Sequence, residues 1–537
     1  MDPLALSRTF VVLALTACGF LHAGAQTLTS GGKLRPEQAI MDVRHYTIAL
    51  RVNIPDKSIS GSTGIDVILS QPSPVLLFDL LDSFHIHSVE VNGSPEPFTY
   101  EHNLITIKPA APFPAGRLSV KIAYDGKPHI ALNPPWGDGF IWATDSSGNP
   151  WVAITAEGTG GKIYFPCKDN PSDEPNEGVD MFISVPQNLV VAGPGLLQNV
   201  TATADSLATY HWKTNYTINN YSIIFNIGKY KVVQRNYTTV DGHIVPMQFY
   251  VLEEHAARGP HHLDILERTV REQEKYFGEY PWVKEKIGIV ETPHLGMEHQ
   301  TMNAYGNKFR YTKVGGEDYD GLMHHEFGHE WWGNKVTARD WADYWIHEGI
   351  CTFGDALYIR EYEGEKAYID YFKRVAISIS NKAPIVLGKD IDEESAYQSD
   401  IYGKGAFFMH TLRYAIGDSL FFPTLKGFAT DTNYTYSHLV GTDDVEQYFS
   451  RRSGMDLKPL FDLYLRTTNK LEVVVRKVNG KQYAIRLSQM PLTLPLEVVS
   501  ATGTRRMMVS DKEVIVESAS RPVIDPNVYY LTNVRYE

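Results

Sequence analysis

The sequence predicts a multidomain α+β protein with a β-rich N-terminal part, a mainly helical middle and a small C-terminal β module. Three observations predict it. The 537 residues exceed what one hydrophobic core organises, so about two to four domains are expected. Tyr46, Ile48, Leu50, Val52 and Ile54 recur at every second position, the period of a half-buried strand. Leu263, Leu266, Val270 and Phe277 then recur at helical spacing, and short alternating runs return near the end.

The first residues have the form of a targeting leader rather than of a folded element. Arg8 precedes a twelve-residue, mostly apolar run, Phe10 to Leu21, and Ala23-Gly24-Ala25 offers a small-residue cleavage site. A leader over 1–25 implies export to the periplasm or beyond the cell. The alternative is that Leu15-Thr16-Ala17-Cys18 is a lipid-attachment signal, which would anchor the chain through Cys18. No later stretch approaches the roughly 18 apolar residues of a spanning helix, so no transmembrane span is expected.

Residues 26–232 read as the N-terminal β domain. Apolar runs at Gly64–Leu69, Val75–Leu80 and Ile86–Val91 are separated by turn residues, and Asn92-Gly93 is a hairpin dipeptide. In Ile86–Val91 the alternation is broken, so its strand signal is the weakest of the three. Residues 233–467 read as the mainly helical middle domain, with helices expected over 322–332 and 404–417. Residues 468–537 read as a C-terminal β domain, because Leu471–Val478 and Gln482–Leu487 flank Asn479-Gly480.

Composition narrows the function. Apolar residues at 43% and charged residues at 21% are ordinary for globular protein. A formal charge of −13 removes the basic footprint that nucleic acid needs, so no nucleic-acid partner is expected. There are three cysteines, Cys18, Cys167 and Cys351, too few for a disulfide framework or a thiolate metal site. Free thiols are expected at Cys167 and Cys351, with a bridge between them as the alternative.

The chemistry concentrates in His325-Glu326-Phe327-Gly328-His329. Histidines at i and i+4 stand one above the other on a helix face, so both can reach one metal, with Glu326 placed as general base. Zinc fits such a centre, because it takes nitrogen and oxygen ligands tetrahedrally and leaves a position open. Glu348 supplies a third ligand after eighteen intervening residues. One Zn²⁺ per chain is therefore expected, held by His325, His329 and Glu348. His324 lies about 100° around the helix and is read as a packing or surface residue. Asp340 is either a partner orienting a ligand histidine or a helix cap.

These residues resemble the aminopeptidase N family of gluzincin zinc peptidases, which also contains leukotriene hydrolase. The eighteen-residue gap and Trp332-Gly333-Asn334-Lys335-Val336-Thr337 with Trp341 follow that family's pattern. Leu295-Gly296-Met297-Glu298-His299 resembles its exopeptidase motif, with Leu295 and His299 departing from it. By that likeness Glu298 binds a substrate ammonium, Gly296 and Met297 pair with substrate backbone, and Glu157, twelve residues before Asp169, is the second carboxylate of the clamp. Ile401-Tyr402-Gly403-Lys404-Gly405-Ala406 resembles a further family segment and makes Tyr402 the oxyanion stabiliser. The resemblance implies a thermolysin-like catalytic domain and a short form without a C-terminal helical domain. It also implies a zinc aminopeptidase acting on peptides with a free N-terminus. Rival expectations are an endopeptidase or epoxide hydrolase on the same centre, or a catalytically inactive binding protein.

Overall fold

A computed structural model describes residues 28–203, 205–501 and 503–537; the expected leader and Cys18 lie outside the described residues. The alternation at Tyr46–Val52 becomes one face of a long strand, with Tyr46, Ile48, Leu50 and Val52 all buried. Eight strands form the main N-terminal sheet: β1 (Met41–Asn53), β2 (Ser58–Leu69), β3 (Phe84–Val91), β4 (Ser94–Pro95), β5 (Gly116–Gly126), β6 (Val179–Pro186), β7 (Leu196–Ala202) and β8 (Leu207–Thr214). Their order is β7-β8-β6-β1-β2-β5-β3-β4, antiparallel except where β1 runs parallel to β6. The broken alternation at Ile86–Val91 has a local cause. A bulge between Ile86 and Ser88 against β5 shifts the period by one, so Phe84, Ile86, Val89 and Val91 all reach the core. Asn92 and Gly93 both have positive φ, 51° and 78°, and close the two-residue turn from β3 to β4. A smaller four-stranded sheet packs beside this one and includes the strand Pro150–Thr155, which delivers Glu157.

The middle of the chain is built on a five-stranded sheet and a set of helices. Strands β9 (Tyr230–Thr238), β10 (Ile244–Leu252), β11 (Ile287–Glu291), β12 (Gly296–Met297) and β13 (Asn303–Tyr305) lie in the order β9-β10-β11-β13-β12. The short strand β12 is thus an edge, hydrogen-bonded on one side only. Helix α1 (Gly259–Phe277) follows β10 and buries Leu263, Leu266, Val270 and Phe277, as the helical spacing predicts. Helices α2 (Gly321–Gly328), α3 (Trp345–Glu363) and α4 (Asp400–Ile416) carry His325, Glu348 and Tyr402 respectively. Phe327, Trp331, Trp332, Trp341 and Trp345 are all buried around α2 and α3, each aromatic contributing about 1.5–3 kcal/mol by burial.

The expected helix over 322–332 is shorter than the periodicity suggests. It starts at the cap Asp320, whose side chain accepts from Met323 N–H, and ends at Gly328. Beyond it the chain turns tightly, with Asn334 N–H bonded to His329 O and Gly333 at φ +135°. The C-terminal strands β14 (Leu471–Asn479) and β15 (Gln482–Ser488) form the expected hairpin, extended by Val514–Glu517 and Thr532–Tyr536 into a four-stranded sheet. Their apolar faces continue the core of the helical part, while the N-terminal sheets enclose a separate core. This is the α+β arrangement the sequence predicts. Cys167 and Cys351 are both free and buried.

A short strap crosses the seam between the two cores. Ser30 N–H donates to Gly158 O at 2.7 Å, Glu393 N–H donates to Ser30 O at 3.1 Å, and Glu394 N–H donates to Thr29 Oγ1 at 3.2 Å. Gly31 is required there: at φ +83°, a Cβ would stand 2.4 Å from the Trp341 ring.

Candidate active site

Helix α2 places His325 and His329 one turn apart, with ring centroids 5.1 Å apart. Helix α3 returns against it and brings in Glu348, whose Oε2 lies 3.3 Å from His325 Nε2 and 3.4 Å from His329 Nε2. A tetrahedral zinc with ligands at about 2.0–2.1 Å holds them about 3.3–3.4 Å apart. Glu348 stands at that spacing from both histidines, and the three donor atoms all lie within 4.8 Å of one another. Their ring orientations also suit a metal. His329 Nδ1 donates to the Trp332 carbonyl at 2.9 Å, and His325 Nδ1 donates to Asp355 Oδ2 at 3.1 Å. Both acceptors are proton-free, so each imidazole anchors its Nδ1–H there and leaves Nε2 facing Glu348 as the position that would bind a metal. The donor set therefore fits zinc.

Two of these surroundings were not legible in the sequence. Asp355, seven residues beyond Glu348 on α3, accepts from His325 through one oxygen and from His324 Nδ1 at 2.7 Å through the other. Nothing in its local pattern distinguishes it from a helix-surface acid; only its two-turn offset from Glu348 was a usable signal. His324 is neither exposed nor in an apolar setting. It lies wholly buried between Asp355 and Glu272 Oε2, the latter at 3.2 Å. Burial lowers its pKa, but the two carboxylates outweigh that and hold it up at about 9, so it is a buried imidazolium. Asp340 takes the capping alternative: it accepts from Ala342 N–H and from Asp390 and Ile391 N–H, away from both ligand histidines.

Glu326 points into the same cavity. One oxygen each of Glu298 and Glu326 and a nitrogen of His329 lie within 4.8 Å of one another. Burial pushes the Glu326 carboxyl up to about 8; His325 and His329 pull it down, and Glu298 and Glu348 add to the rise. The edge strand β12 passes close by. A Cβ on Gly296 would stand 2.5 Å from Glu326 Oε1, so only glycine lets this strand approach the carboxylate.

Glu298 is buried, accepts from the Tyr221 hydroxyl at 2.9 Å and has its own carbonyl bound by Asn334 Nδ2 at 2.8 Å. Glu157 lies beside it; its Oε1 is enclosed with no hydrogen-bond partner among the described residues. Burial raises the Glu157 pKa well above normal, and Glu298 and Glu348 raise it further. Two acidic groups crowded together raise each other's pKa, and a nearby cation would relieve that. Tyr402 on α4 stacks on His325 with centroids 6.0 Å apart, and its hydroxyl bonds that of Tyr397. Burial, then Glu348 and Tyr397, raise its pKa well above 10, so the hydroxyl remains a donor. The structure thus brings His325, Glu326, His329, Glu348, Glu298, Glu157, Gly296 and Tyr402 together, with Met297 next to Gly296 on the edge strand. Tyr221 and Tyr397 join them without any sequence signal, being two of 31 tyrosines.

A β-rich part, a helical part with a His-Glu-x-x-His helix, and a glutamate from the next helix define the gluzincin class. Residues 261–464 match the peptidase family M1 domain. Over that stretch the chain carries the domain of this family, and relatives that it matches beyond that stretch include aminopeptidases by name. It is 25% identical over 396 residues to tricorn protease-interacting factor F2 of Thermoplasma volcanium, covering 68% of this chain and 48% of that one. It is 23% identical over 415 residues to human endoplasmic reticulum aminopeptidase 1, covering 71% and 42%. The chain spans about half the length of the curated relatives it matches. Among solved structures, the M1 zinc metallopeptidase of Deinococcus radiodurans has a TM-score of 0.65 at 21% identity, covering 81% of this chain and 95% of that one. That likeness shows the shared fold.

Proposed function

We propose that the protein is a zinc-dependent aminopeptidase that removes the N-terminal residue from peptides. The observation that carries the reading is the crowded pair Glu157 and Glu298 near Glu326 and His329, whose mutual repulsion His329 only partly offsets. A substrate's free ammonium would neutralise them and so fix the peptide's first residue there. Names among the relatives agree, including a leucyl aminopeptidase of Saccharolobus solfataricus, 19% identical over 479 residues.

His325, His329 and Glu348 would hold the zinc, which in such a centre acidifies water and polarises a carbonyl as a Lewis acid. Glu326 accepts the proton of the attacking water and passes it to the leaving amine, a transfer its position between the two histidines favours. Tyr402 donates its hydroxyl to the oxygen that gains negative charge as the carbonyl becomes tetrahedral. The free edge of β12 at Gly296 and Met297 offers backbone groups to an extended substrate, in the manner of an added strand. Among the described residues no helix is long and apolar enough to cross a membrane. The leader-like run supports export, which fractionation of expressing cells would test.

The deciding experiment compares an aminoacyl anilide with its N-acetylated form, with and without a chelator. Cleavage of the free amine alone, lost on chelation and restored by zinc, is expected. Rapid cleavage of acetylated peptides would instead favour an endopeptidase. Inertness of zinc-loaded protein toward both would favour a binding protein.

A further inference from the structure

Glu298 is followed at once by a turn that its residues do not favour. Met302 N–H donates to His299 O at 2.9 Å, closing a β-turn over His299-Gln300-Thr301-Met302. Its third residue, Thr301, has φ +56°, the left-handed region that turns reserve for glycine or asparagine and that crowds a β-branched side chain. Such a residue persists only where its surroundings over-determine it.

Here they do so from three sides. Glu330 Oε1 accepts from Thr301 N–H at 2.9 Å and from Asn303 Nδ2 at 2.7 Å, while its Oε2 accepts from the Trp282 indole. Gly195, from the N-terminal β part, donates its N–H to Thr301 Oγ1 at 2.8 Å. Gly288 supplies space, since a Cβ there would stand 2.0 Å from the Thr301 carbonyl oxygen. Lys286 in turn binds the carbonyls of Gly193 and Gly195, fixing the backbone that grips Thr301.

Glu330 immediately follows His329 and is fully buried. Its carboxylate therefore reaches from the end of the metal helix to the turn that carries Glu298. We propose that Glu330 and Thr301 form a positioning device: the carboxylate holds a strained turn, and the turn sets the distance from Glu298 to the metal centre. The device rests on the aminopeptidase reading above, in which that distance decides that one residue is removed. A fully buried acid spent on a turn, where an apolar residue would pack, has a purpose if the turn must not move.

The test uses zinc-loaded full-length protein, an aminoacyl anilide and measured zinc content. Wild-type protein inert toward this substrate would overturn the aminopeptidase reading, and the device with it. With wild type active, Glu330→Ala should keep its zinc yet lose about 10²-fold in kcat/KM, as a roughly 1 Å misplacement does. In a Glu298→Ala background the same change should cost less than about 3-fold, because the group it positions is already gone. Adding Thr301→Gly to Glu330→Ala should recover at least about 5-fold, since glycine holds φ +56° unaided. Equal losses in both backgrounds, or no recovery, would overturn the device. Should Glu330→Ala fail to fold, Thr301→Val removes only the oxygen that Gly195 binds. A raised KM with unchanged zinc content then supports the device, and an unchanged KM overturns it.

Discussion

Replacing Asp355 by asparagine should weaken zinc binding about 10- to 100-fold, or about 1.4–2.7 kcal/mol. The magnitude follows from what the carboxylate holds. Its two oxygens accept separately from His324 Nδ1 at 2.7 Å and His325 Nδ1 at 3.1 Å. Asparagine has one acceptor, so in either orientation its amide N–H₂ faces an imidazole N–H. If the amide faces His325, that ring loses the partner fixing its tautomer, and a charge-assisted bond worth about 1.5–3 kcal/mol goes with it. If it faces His324, a buried imidazolium keeps only Glu272. Either way the negative charge that strengthens His325 as a donor is gone. Competition against a chromophoric chelator at neutral pH gives the metal Kd, and thermal unfolding with saturating zinc reports whether the fold survives. A Kd within about 2-fold of wild type, with an unchanged Tm, would refute the reasoning, because the bond would then be of no consequence to the metal.

Tyr402→Phe should lower kcat by about 10²–10³-fold with little change in KM; an unchanged kcat would leave that hydroxyl merely a partner for Tyr397. Gly296→Ala should cost about 10²-fold in turnover without loss of zinc, because the added methyl displaces Glu326; wild-type rates would show that this close approach is not needed. Glu174 makes a pH prediction. Burial holds its carboxyl up at about 8 against 4.5 in the free state, so the folded protein keeps a proton the unfolded chain releases. That contribution is fully present below about pH 4.5 and is lost as pH rises through about 8. Glu174→Gln should therefore flatten the fall in Tm across that window, and an unaltered slope would place the titration elsewhere.

What could be read from the sequence was what is local. His325, His329 and Glu348 were legible because helical spacing and a fixed gap encode their convergence. The proposed roles of Glu298, Glu157 and Tyr402 came only through family likeness, since each is a common residue with nothing local to mark it. Asp355 was missed for that reason: the ligand pattern ends at Glu348, and its continuation two turns later carries no mark of its own. The bulge at Ile86–Ser88 shows a second limit. Alternation reports a strand only while one register lasts, and a single inserted residue makes a regular strand look irregular. The end of the metal helix at Gly328 shows a third, because Trp331 and Trp332 keep an apolar rhythm after the backbone has left the helix.

The strap has a consequence for how the molecule is made. Thr29 and Glu394, which it joins, are 365 positions apart. At a synthesis rate of about 5–20 residues per second, the first partner waits about 20–70 s before the second emerges. The N-terminal sheets can complete their own core in that interval, but the join beside Glu157 closes only after the helical part has been translated and packed. Assembly of the surroundings of Glu157 is thereby tied to completion of both halves, and a nascent chain cannot present them early.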